Sequence, residues 1–93
     1  MSVMNENEII QNGIDAKALL ESNGFNRLYS VMQTELANQI LATPVNAGET
    51  REQLYYTYQG MRSFAAALVT MVSAMENVLE MREADNAQED ESR

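Results

Sequence analysis

Apolar residues in this chain recur at intervals of three and four, and no segment alternates with a period of two, so the pattern predicts helices alone. Three segments carry it. The first spans about residues 5–21, where Asn5 followed by Glu8 forms a capping box by analogy. Ile10, Ile14 and Leu20 can share one face of this helix, flanked by Ile9 and Leu19. Gly13 inside it costs roughly 1 kcal/mol against alanine, tolerable where another helix packs closely. The stretch Glu21–Gly24 breaks the chain, and a second helix follows over about 23–42, with Ser22 or Asn23 as N-cap. Its stripe is Phe25, Leu28, Tyr29, Met32, Leu36 and Ile40. Pro44 stops it, because proline disfavours helical geometry in the residue before it.

The third helix, about residues 50–83, opens with a capping box at Thr50–Gln53. Leu54, Tyr58, Met61, Ala65, Leu68, Val72, Met75 and Leu79 then repeat as 4-3-4-3-4-3-4, an a/d heptad seam about four heptads long. The neighbouring g column, Thr57, Phe64, Met71 and Val78, is also uncharged, so the apolar face is wider than a two-stranded seam needs. Gly60, in the c column, marks either a close crossing or a slight bend. This helix is also longer than the second, which cannot cover the whole stripe; another copy of the chain is expected to cover what remains.

Charge changes the picture at one end. The net charge is −8, and residues 76–93 hold seven acids against two arginines, so residues 84–93 read as an acidic flexible tail. Ser63–Met75 carries no charge at all. It is too short for a membrane span, which needs about 20 apolar residues. The first ten residues lack the basic region of a signal peptide. Scattered cations in an acidic chain argue against nucleic-acid binding.

Candidate chemistry is sparse. The chain has neither cysteine nor histidine, which removes thiolate metal sites, disulfides and the commonest general base. Glu76, Glu80 and Glu83 lie on adjacent turns, but no other helix offers a facing Glu-x-x-His, so they read as a solvated face and no metal or cofactor is expected. Tyr55 and Tyr56 read as half-exposed beside a core Tyr58. The seven methionines read as core fillers. Arg62 has no acid three or four residues away; its partner lies on another helix or chain, or it snorkels into water.

Two segments, "NEIIQNGIDAKALLES" and "ATPVNAGETREQLYYTY", resemble small, acidic, helical proteins encoded by tailed bacteriophages, often among head and packaging genes. The features that carry the resemblance are Ile10, Gly13, Ala16, Leu19, Leu20, Pro44, Arg51, Glu52, Leu54 and Tyr55. It implies a viral origin and a protein-binding role, located in the host cytoplasm or the virion rather than secreted. The expected fold is all-α: an antiparallel hairpin of the second and third helices, a short N-terminal helix, and a coiled-coil-like third helix, with residues 1–83 as one domain of an oligomeric bundle. The expected function is a non-catalytic, self-associating interaction module in phage particle structure or assembly. The alternative is an acidic inhibitor of a host protein. Expected partners are a second copy and another phage or host protein, without nucleic acid or membrane. The expected interface is Tyr58, Met61, Arg62, Phe64, Ala65, Leu68, Met71, Val72 and Met75.

Overall fold

The computed structural model describes residues 5–91. It is all-α, with α1 (Glu6–Glu21), α2 (Asn23–Ala42) and α3 (Gly48–Glu91) in chain order. The starts and stops follow local hydrogen bonding. Asn5 Oδ1 accepts from the Glu8 amide at 2.9 Å, the N-cap half of the expected capping box, whereas the Glu8 carboxylate accepts from the Asn5 side-chain Nδ2 at 3.4 Å and not from its backbone amide. The break before α2 is a single non-helical residue, Ser22, whose Oγ accepts from the Phe25 amide at 3.2 Å. Asn26 Nδ2 donates to the Leu20 and Ser22 carbonyls, satisfying acceptors that the end of α1 leaves open. At the other end of α2, Thr43 closes the last turn through its backbone amide to Ile40 and its hydroxyl to Gln39.

The third helix departs from expectation at both ends. It begins at Gly48 rather than near residue 50, and the Arg51 amide donates to the Ala47 carbonyl, so Thr50 is already helical and caps nothing. The Arg51 guanidinium donates to the Pro44 carbonyl at 2.8 Å, which fixes the loop. The helix then continues to Glu91 instead of fraying at Glu83. Ala84, Ala87, Gln88 and Glu89 are good helix formers. No glycine or proline interrupts them, and extending an existing helix costs little. Of the expected flexible tail, Ser92 and Arg93 lie outside the described residues.

The chain divides into two compact units. One comprises the residues up to Leu19 and those from Leu68 onward; the other is Leu20–Ala67. In the first, α1 runs antiparallel to the later part of α3. Glu6 pairs with Arg82 and Gly13 meets Met75, so seven steps forward on α1 match seven back on α3. Ala16, Leu68 and Met75 are the buried apolar side chains here, with Gly13 beside them. A Cβ at Gly13 would overlap the Met75 Cβ and approach its Sδ to 2.8 Å, so the absence of a side chain at 13 is what lets the helices close. The packed face of α1 is thus Ile9, Ile10, Gly13, Ala16 and Leu20, and Ile14 faces outward, contrary to the sequence pattern. Small residues carry weak hydropathy, so the apolar pattern passed over Ala16, whereas the close packing that makes Gly13 tolerable is present against Met75. The Glu6–Arg82 pair, 3.0 Å apart and exposed on both sides, contributes at most about 1 kcal/mol.

In the second unit α2 runs antiparallel to the earlier part of α3. Phe25 meets Phe64 in a tilted arrangement with ring centroids 6.5 Å apart, and one turn on, Tyr29 meets Met61. No residue of α2 is buried.

Gly13→Ala should destabilise the fold by about 1–3 kcal/mol through overpacking, despite its better helix propensity. Gly24→Ala, whose new carbon meets nothing closer than 3.8 Å, should be neutral or stabilising. Urea unfolding followed by circular dichroism separates the two.

Candidate interaction surface

Along α3 the a/d seam is where intrachain packing falls. Leu54, Tyr58, Met61, Ala65 and Val72 are half-buried, and Leu68 and Met75 are buried. Leu79, the last member of the seam, is exposed. The surplus expected from the helix's greater length largely disappears, because α1 lines its later part within one unit and α2 its earlier part within the other. The surplus in width remains: Thr57, Phe64 and Met71 of the g column are exposed, as is Val69 on the other flank.

In the unit formed by residues 20–67 this width opens a groove. Phe25, Leu28, Tyr29 and Met32 of α2 and Gly60, Met61 and Phe64 of α3 line it, enclosing about 490 Å³. None of these side chains is charged. Leu28 is 53 % exposed, Met32 51 % and Phe64 52 %, so half of each large side chain faces water. The large rings of Phe25, Tyr29 and Phe64 at the contact set the groove between the helices, where the other unit has Gly13 and Ala16. Among the described residues its polar tie is the Tyr29 hydroxyl, which donates to the Met61 carbonyl at 2.8 Å. The tie locks α2 to α3 at the groove floor and leaves the Tyr29 ring as lining.

The residues expected at an interface therefore separate. Met61 and Phe64 line the groove, and Met71 is exposed on the other unit. Tyr58, Ala65 and Val72 are half-buried in intrachain seams. Leu68 and Met75 are buried within their own unit and have no surface to offer another chain, a correction to the expected set. Arg62 is exposed and has no ion pair among the described residues, which fits snorkelling into water. Sequence reasoning placed Leu28 and Met32 on the packed stripe of α2; they stand beside it, because a single neighbouring helix covers an arc narrower than theirs.

Tyr55 and Tyr56 are exposed, with hydroxyls bonded along their own helix to Gln59 and Glu52. Glu76, Glu80 and Glu83 are exposed on α3, and no grouping of acids suited to a metal ion occurs among the described residues. By length and composition α3 could cross a membrane: it holds an 18-residue window of mean hydropathy 1.3, of which 11 % is buried.

Comparison with known proteins finds no matching family model, no matching curated protein and no matching solved structure.

Tyr29→Phe removes the cross-helix hydrogen bond and keeps the ring. It should lower the urea midpoint by the equivalent of about 1 kcal/mol without loss of helical signal.

Proposed function

We propose that this chain is a non-catalytic, self-associating helical interaction module. The observation that carries the reading is a unit of two helices with no buried residue on α2 and three large apolar side chains half-exposed around one groove. The resemblance to phage head and packaging proteins supplies the setting, particle structure or assembly. Sedimentation velocity at micromolar concentration should show a dimer or larger species; a fully helical monomer across that range overturns the reading.

One observation favours the acidic-inhibitor alternative. Glu76, Glu80, Glu83 and Asp85 are exposed on continuous helix, and the first three share a face, so these charges have fixed spacing. Replacing Glu76, Glu80 and Glu83 together with glutamine separates the readings. A self-associating module keeps its oligomeric state in that variant; an acidic decoy loses affinity for a basic partner.

A further inference from the structure

The chain places two glycines beyond the first turn of a helix, Gly13 and Gly60, and only one is explained by its own fold. Gly13 has no room for a side chain because Met75 lies against it. Gly60 sits in the middle of α3, and a Cβ there would meet nothing within 4 Å. It has no positive backbone φ that would call for glycine. Glycine in a helix interior is unfavourable against alanine, and nothing inside the chain offsets that. Yet Gly60 lines the apolar groove, one turn from the half-exposed Phe64.

We propose that the groove is filled by a second copy of this chain, with Phe64 of each copy seated over Gly60 of the other. The proposal rests on the self-association reading above and adds the face and the register. Thr57, Gly60, Phe64 and Ala67 lie within an arc of roughly 80° on α3, at about 100° per residue. All four are uncharged. The Thr57 hydroxyl already donates to the Gln53 carbonyl at 3.0 Å, which spares its methyl for packing. A twofold axis crossing the helix at residue 62 sets Gly60 opposite Phe64 and Thr57 opposite Ala67 of the second copy. The bulky ring meets the position with no side chain, twice, and the contact closes on itself as an isologous interface. Arg62 lies on the opposite side of the helix, so the two arginines point away from each other. Leu28 and Met32, which flank the same groove, supply the apolar wall that shields the inserted ring.

Sedimentation equilibrium of the full chain over a concentration series tests this with Gly60→Ala, Gly60→Leu, Phe64→Ala and Arg62→Gln. Phe64→Ala should weaken association on the order of thirtyfold or more, the loss of a central aromatic anchor. Gly60→Leu should weaken it on the order of tenfold, by filling the seat. Arg62→Gln should leave it unchanged. Gly60→Ala should also weaken association, yet at concentrations where the chain is monomeric it should raise the melting temperature by roughly 4–8 °C. That opposite sign rules out misfolding as the cause. A wild type that stays monomeric overturns the self-association reading and this geometry together, and flotation of that monomer with phospholipid vesicles would give the groove to lipid. A wild type that associates no more tightly than Gly60→Leu and Phe64→Ala overturns this geometry alone.

Discussion

Two α-helices packed side by side touch along one line, and a line encloses almost nothing. Every feature of this protein follows from that limit. The contact line along α3 accommodates its a and d columns and leaves the g column over. Where the facing residues are Gly13 and Ala16, the backbones come close enough for Ala16, Leu68 and Met75 to be buried. Where they are Phe25 and Tyr29, no residue of α2 is buried and each large side chain keeps part of its surface in water. The difference between the two units is thus a difference in the size of a few residues, not in hydrophobicity.

That distinction explains what could be read from the sequence. The all-α class, the three helices and the seam from Leu54 to Met75 were legible because a strict three-and-four spacing has one structural solution. The N-cap at Asn5 was legible for the same kind of reason: its chemistry is local. The start of α3 was not, since Ala47 supplied the first carbonyl before the better-looking Thr50 could act. The contact face of α1 was misjudged because Ile14 outranks glycine and alanine on any hydrophobic scale, whereas close packing rewards the smaller residues. The groove was half-legible. An uncharged g column announced surplus width, but the outward place of Leu28 and Met32 depends on the angle at which α2 meets α3, which no spacing rule encodes.

The missing chemistry is as informative as the apolar surface. The chain has neither histidine nor cysteine, and no acid grouping fit for a metal occurs among the described residues. Its polar groups are spent on local order: caps at Asn5 and Ser22, a loop clamp from Arg51, and the Tyr29 tie. What is left to interact is an apolar groove in one unit and a run of acids on α3. Their readouts are independent, since the first responds to side-chain size and the second to charge.

The uneven distribution of buried residues also has a dynamic consequence. Proteins open locally where few apolar contacts resist it, and opening free energies differ between parts of one chain. With no buried residue, α2 opens more readily than α1, and the groove it borders vanishes each time it does. Whatever fills that groove binds the closed form alone and so stabilises it by mass action. Amide protons along α2 therefore report the occupant's concentration: their exchange slows as the groove fills, while those of α1, held by Gly13 against Met75, keep their own pace.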